Sequence, residues 1–160
     1  MDLADHSRYD YSALVERPNF DWPGGKRLAF YLALNVEHFT FGGSLGHTPT
    51  SLGPPPDPRN YAWRDYGLRV GIWRIFDLAD QLGLPLCHLI NSSASERYPQ
   101  IVRRIVAEGH ELASHGYGHE RASDLSREAF LQDIGSAKRL LEDIGGVAVN
   151  AYSHPIVTED

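Results

Sequence analysis

Residues 28–36 read LAFYLALNV, an apolar run interrupted only by Asn35 and closed by Glu37. Continuous apolarity with aromatic and branched side chains predicts a strand buried on both faces, the kind found in parallel sheets. Upstream, 8–27 (RYDYSALVERPNFDWPGGKR) is mixed and punctuated by Pro18, Pro23, Gly24 and Gly25. It reads as an irregular arm leading to the first core element, and the N-terminal arm as a whole is set at 1–27. Downstream, 38–64 holds Pro49, Pro54, Pro55, Pro56 and Pro58 with Gly42, Gly43, Gly46 and Gly53. This predicts a long loop, and loops of that length in compact domains are usually functional or disordered.

Beyond the loop the pattern alternates. From 66 to 82, Leu68, Ile72, Ile75, Phe76, Ala79 and Leu82 recur at helical spacing, and Gly83 and Pro85 stop the helix. LCHLIN (86–91) predicts a second strand, followed by a polar turn at Ser92 and Ser93. A helix is expected over 99–107, with Ile101, Val102 and Ile105 inward and Gly109 as its stop. HELAS (110–114) predicts a third strand. A helix over 126–144 carries Phe130, Leu131, Ile134, Leu140, Leu141 and Ile144 on one side and ends at Gly145 and Gly146. VAVNAY (147–152) predicts a fourth strand. Strands alternating with helices imply an α/β fold of right-handed βαβ units around a parallel sheet, in a single domain over 1–160. Ligands in such folds bind at the carboxyl ends of the strands. Asn35 and Glu37, Asn91 and Ser92, Ser114, His115 and His119, and Ser153 and His154 all fall at such ends.

Composition narrows the function. The chain has 160 residues, 42% hydrophobic and 22% charged, with 15 basic and 21 acidic side chains for a net charge of −6. That is globular composition. Neither half is basic, so nucleic acid is not expected as a partner. No apolar run approaches membrane-spanning length, so no membrane partner is expected either. The opening MDLADHSRYDYS lacks a signal peptide's charged-then-apolar pattern, and the single Cys87 forms no internal disulfide; a cytoplasmic location is the expectation.

SHGYGHE (114–120) contains His115-x-x-x-His119. Two imidazoles four apart can reach one metal ion, and Gly116 and Gly118 let the backbone bend between them. The competing reading is a polar loop that binds nothing. Glu37, at another strand end, is the best third ligand or a general base. Asn35 and Glu37 are two apart and point to the same side. His38 reads as an exposed loop residue; His88, Cys87 and His110 read as packing. YAWRDYGLRVGIWR (61–74) is dense in aromatics and arginine. Tyr61, Trp63 and Tyr66 suit stacking on a sugar or planar ring, and Arg69 suits an acidic or amide-rich substrate; the competing reading is a helix entrance packed by aromatics, with its arginines paired to Asp65 and Asp77. Arg74 and Trp73 read as helix packing.

Taken together, RPNFDWPGGKRLAFYLALNVEHF, YAWRDYGLRVGIWR and AEGHELASHGYGHE resemble the polysaccharide deacetylase superfamily (NodB homology, carbohydrate esterase family 4-like). The similarity is greatest to its intracellular peptidoglycan-deacetylase and allantoinase-like branch. The resemblance runs from about Tyr9 to Pro155. It implies a partial (β/α) barrel and hydrolysis of non-peptide C–N amide bonds, as in removal of N-acetyl groups from sugars. It implies a divalent metal, zinc first, held by Glu37, His115 and His119, with a metal-free cyclic amidase as an alternative. Asn35 stands where the superfamily often carries its aspartate base, and an asparagine takes no proton from water at neutral pH. Either Glu37 changes role, or the base comes from elsewhere, or the reaction is weak. Tyr152-Ser153-His154-Pro155 loosely matches a further motif, which adds Tyr152 to the candidate substrate contacts.

A closed barrel of this kind needs roughly 250 residues. This chain supplies about half the units, which implies open sheet edges and a homo-oligomer. The substrate expected is a carbohydrate or a small cyclic amide. A truncated, inactive domain that binds a carbohydrate or a partner chain is the remaining alternative.

Overall fold

The computed structural model describes residues 9–42, 56–118 and 124–155. Its contacts divide the chain into two units, 1–30 and 31–160. In the first, two short 3-10 turns, Leu14–Glu16 and Pro23–Gly25, are the only helical features described. Trp22 and Lys26 exchange backbone hydrogen bonds at 2.7 and 3.2 Å around Gly24 and Gly25, both at positive φ. The Phe20 and Trp22 rings meet edge to face. The described residues of this segment are exposed along nearly all of its length.

The second unit carries a three-stranded parallel sheet of β1 (Ala33–Val36), β2 (Cys87–Ile90) and β3 (Glu111–Ser114), in the order β1-β2-β3. Five helices accompany it: α1 (Pro58–Tyr66), α2 (Ile72–Leu82), α3 (Ser92–Arg97), α4 (Pro99–Ala107) and α5 (Arg127–Gly145). Local chemistry sets their ends. Asp57 caps α1 by accepting from the Asn60 amide at 3.1 Å, with Pro58 at the first helical position, where its missing N–H costs nothing. Ser126 caps α5 through the Ala129 amide at 3.2 Å. Gly83 and Gly146 close α2 and α5 in the left-handed conformation.

Four expectations are corrected. The run 28–36 is a strand only from Ala33, and Leu28, Phe30 and Tyr31 are exposed. The ladder explains this: Cys87 is the first residue of β2, lies opposite Ala33, and reaches back only as far as the Leu32 carbonyl. The loop 38–64 gives way to helix at Pro58, and a π-helical turn at Gly67–Gly71 joins α1 to α2, so the helix expected from 66 starts earlier. Ser92 and Ser93 begin α3 rather than a turn. In 147–152 only a parallel bridge between Ser114 and Tyr152 forms, in place of a fourth strand.

The core packs Val36, Ile90 and Leu112 of the strands with Leu68, Ile72 and Phe76, and with Ile101, Val102, Ile105 and Leu141. The helix over 99–107 and its three inward residues are as expected. The register matters most for function. Val36, Ile90 and Ser114 share one rung, so Glu37, Asn91 and His115 each stand one residue past it, side by side.

Candidate active site

The ladder continues one step beyond the strands. The Asn91 amide donates to the Val36 carbonyl at 3.1 Å, and the His115 amide to the Ile90 carbonyl at 3.0 Å. This brings the Glu37 and His115 side chains together, Oε1 to Nε2 at 3.2 Å. On the other side of the ring, His115 Nδ1 lies 2.7 Å from the Ser153 carbonyl. That carbonyl is itself held, because the Ser153 amide donates to Ser114 at 3.0 Å and the Ser114 amide to Ala151 at 2.9 Å. The segment expected as a fourth strand therefore still delivers a group to the site.

A carbonyl only accepts, so Nδ1 carries the ring proton. In the neutral ring Nε2 then presents a lone pair to a carboxylate oxygen. Two acceptors at 3.2 Å need a proton or a cation between them. An imidazole held by its other nitrogen on a backbone carbonyl is the usual outer-shell arrangement of a metal ligand. A carboxylate and an imidazole side by side are two of the donor types a divalent metal takes. His119 lies outside the described residues. Asn35 Nδ2 donates to Glu37 Oε1 at 3.4 Å, so Asn35 orients the carboxylate.

The turn after β3 is tied down on two sides. Asn91, fully buried, donates its side-chain amide to the carbonyls of His115 and Gly118. The Ser92 and Ser93 amides donate to the Gly116 and Tyr117 carbonyls, each at 3.0 Å. From α5, both Asp133 oxygens accept from the Tyr117 amide at 3.2 and 3.3 Å. Gly116 has φ +72°, and a Cβ there would sit 3.1 Å from Asp133 Oδ2.

The expected substrate residues divide. Arg69 is ion-paired to Asp65 on the surface, Tyr66 accepts from Arg74 at 2.9 Å, and Trp63 is 66% exposed. None of the three lines the cavities beside Glu37. Arg64 does: its guanidinium lies 4.3 Å over the Phe39 ring, and it borders a cavity of about 230 Å³ shared with Asn35 and Glu37. Tyr152 packs edge to face on Phe130, and burial, with Asp133 nearby, pushes its hydroxyl up to about 12. His38 is half-buried, not an exposed loop residue, and burial and the charge of Arg97 lower its pKa. Sequence reading places Asn91 at a strand end but gives it no role, and it singles out neither Asp133 nor Arg64.

Among the described residues, one group of three metal-type side chains lies within 4.8 Å: Asp80, Glu108 and His110, at the opposite end of the sheet. Arg104 already pairs with Asp80 at 2.8 Å and with Glu108. His110 Nδ1 accepts from the Leu86 amide at 3.4 Å, so its neutral ring keeps the proton on Nε2, facing Glu108 at 3.5 Å. This group is an ion-paired network rather than a set of open ligands.

The polysaccharide deacetylase family model matches residues 54–159. A peptidoglycan deacetylase of Helicobacter pylori is 26% identical over 124 residues, covering 78% of this chain and 41% of the relative. A peptidoglycan-N-acetylglucosamine deacetylase of Bacillus cereus is 25% identical over 75 residues, covering 47% of this chain and 27% of the relative. The chain thus spans less than half the length of either. The crystal structure of Puue allantoinase superposes with a TM-score of 0.73 at 23% identity, covering 92% of this chain and 53% of that one; this likeness speaks to the fold.

Proposed function

This chain belongs to the polysaccharide deacetylase family, and on that premise we propose that it contributes an active-site half to an amide hydrolase acting on N-acetylated sugars. One observation carries the reading: His115 Nε2 faces Glu37 Oε1 at 3.2 Å, with Nδ1 held on the Ser153 carbonyl. Glu37 and His115, with His119 as third ligand, would hold a divalent metal, zinc first. When bound, such a metal supplies Lewis acidity toward an amide carbonyl and toward water. The chain's own residues do the rest. Ser153 keeps the proton on Nδ1, and Asn35 holds Oε1 of Glu37 and so orients the carboxylate. Tyr152, protonated at neutral pH, serves as a hydrogen-bond donor to the sugar. Trp63 and Tyr66 offer exposed stacking faces outside the cavities beside Glu37, where Arg69 lies paired to Asp65.

The test is metal content of the purified chain together with acetate release from N-acetylglucosamine oligomers. About one zinc per chain and chelator-sensitive acetate release are expected. Neither metal nor acetate would overturn the reading. A second reading, a domain that binds carbohydrate without cleaving it, is supported by Asn35, which accepts no proton where the family resemblance places a base; it predicts sugar binding with no acetate. Activity that survives chelation would select a metal-free cyclic amidase instead.

Cytoplasmic location and self-association belong to the same proposal. No helix among the described residues is long and apolar enough to cross a membrane, and Cys87 is a free thiol. Among the described residues β1 pairs only with β2, which leaves an edge that invites a further strand. Cell fractionation and sedimentation at two concentrations test these two points.

A further inference from the structure

The histidine-bearing turn is built around one buried side chain that the reaction does not use. Asn91 is fully buried, and its amide nitrogen spends both hydrogens on the turn, one on the His115 carbonyl and one on the Gly118 carbonyl. These carbonyls belong to the first histidine of the pair and to the residue immediately before the second. A planar amide with two fixed hydrogens holds both ends of a four-residue turn at once. Its backbone is no looser: Asn91 N bonds Val36 O, so the clamp stands on the same rung that delivers Glu37. Glu37, Asn91 and His115 are thus one row across the sheet, with Asn91 in the middle.

We propose that Asn91 is the positioning residue that sets the spacing of the metal-binding turn, so that removing its amide costs metal affinity rather than the fold. The inference rests on the metal-binding reading above. Ser92 and Ser93 reach the turn only through Gly116 and Tyr117. Outer-shell partners of this kind typically change metal affinity 10–100-fold.

The experiment uses the full chain, with zinc alone as probe in competition with a chromogenic chelator, and amide hydrogen exchange on the metal-free protein. Asn91→Leu keeps the shape and removes the donor; Asn91→Ser, smaller and able to donate once, is the milder variant. Expected are a tenfold or greater loss of zinc affinity in Asn91→Leu and a smaller loss in Asn91→Ser. Exchange at the amides of residues 115–118 should quicken at least tenfold while the β2 amides keep their protection. If Asn91→Leu does not fold, Asn91→Ser decides: zinc affinity within twofold of the unmodified chain overturns the proposal. Unchanged zinc affinity in a folded Asn91→Leu overturns it equally. An unmodified chain that binds no zinc overturns the metal-binding reading itself, and unchanged exchange at 115–118 in that case overturns the clamp as well.

Discussion

β3 is flanked by two histidine–carboxylate pairs that use the same residue types for opposite ends. Past its carboxyl end, His115 faces Glu37 at 3.2 Å; before its amino end, His110 faces Glu108 at 3.5 Å. The difference is one backbone group on the far ring nitrogen. His115 Nδ1 meets a carbonyl, so Nε2 is left as an acceptor against a carboxylate. His110 Nδ1 meets the Leu86 N–H, so Nε2 keeps its hydrogen and the pair is complementary as it stands. Arg104 then neutralises Asp80 and Glu108 beside it. The proposed ligand site and the ion-paired network therefore differ less in their side chains than in which backbone atom orients the ring.

The amino-end network leans on Phe76, which is fully buried, stacks with His110 at 6.1 Å and contacts His88 at 5.4 Å. If that end serves stability, Phe76→Ala should destabilise the chain by about 3–5 kcal/mol in urea titration. Its zinc affinity, measured where the variant is folded, should be unchanged. A loss of affinity as large as that of a ligand variant would break the distinction between the two ends.

The two histidines test it directly. His115→Ala should abolish stoichiometric zinc binding, with a loss of roughly 100-fold or more, since a ligand is worth at least what an outer-shell partner is. His110→Ala should keep full zinc stoichiometry and lose about 1–3 kcal/mol of stability. Zinc retained in the first variant or lost in the second would reverse the assignment of the two ends.

The amino end also titrates. Burial, with the neighbouring His110 imidazole, pushes the buried His88 down to about 4 from 6.5. Between these values the unfolded chain binds the proton and the folded one does not. Stability is therefore greatest above 6.5 and is lost as pH falls toward 4. The expected loss between pH 7 and pH 5 is about 2 kcal/mol, since each pH unit below the unfolded value costs about 1.4 kcal/mol. His88→Leu should flatten the profile in that window. An unmodified chain equally stable at both ends of that window would remove His88 as its cause.

How much of this could be read in advance follows from the same contrast. Periodicity and glycine stops place the 99–107 helix and the 126–144 helix to within a residue or two, because the apolar stripe and the caps are local. The strand pair is legible in 86–91 and 110–114 but not in 28–36, where the length of the ladder is fixed by the partner strand and not by apolarity. The 147–152 strand fails for a related reason: Val147 to Ala151 have the composition, yet only Tyr152 finds a rung. At the site, Glu37 and His115 are legible from strand ends. The tautomer of His115 is not, because it depends on a carbonyl 38 residues away. Arg64 of α1 borders the cavity beside Glu37 and Arg69 does not; Arg69 lies in the π-helical turn Gly67–Gly71, which no spacing rule anticipates.

The smallest effect separates the two ends most finely. Gly109 and Gly116 lie on either side of β3, and both have φ +72°. An alanine pays for the left-handed backbone at either position, about 1–2 kcal/mol. At Gly109 nothing lies within 4 Å of the new Cβ, so the backbone cost should be the whole effect. At Gly116 the Cβ would meet Asp133 Oδ2 at 3.1 Å and Pro155 Cγ at 3.5 Å. Asp133 is the carboxylate that accepts from the Tyr117 amide, so it gives way only by loosening the turn. Gly116→Ala should therefore cost roughly 1 kcal/mol more than Gly109→Ala in urea titration, and it alone should weaken zinc binding, by several-fold. Equal losses of stability with equal zinc affinities would mean that the turn after β3 yields without disturbing His115, and that the carboxyl end is no more tightly specified than the amino end.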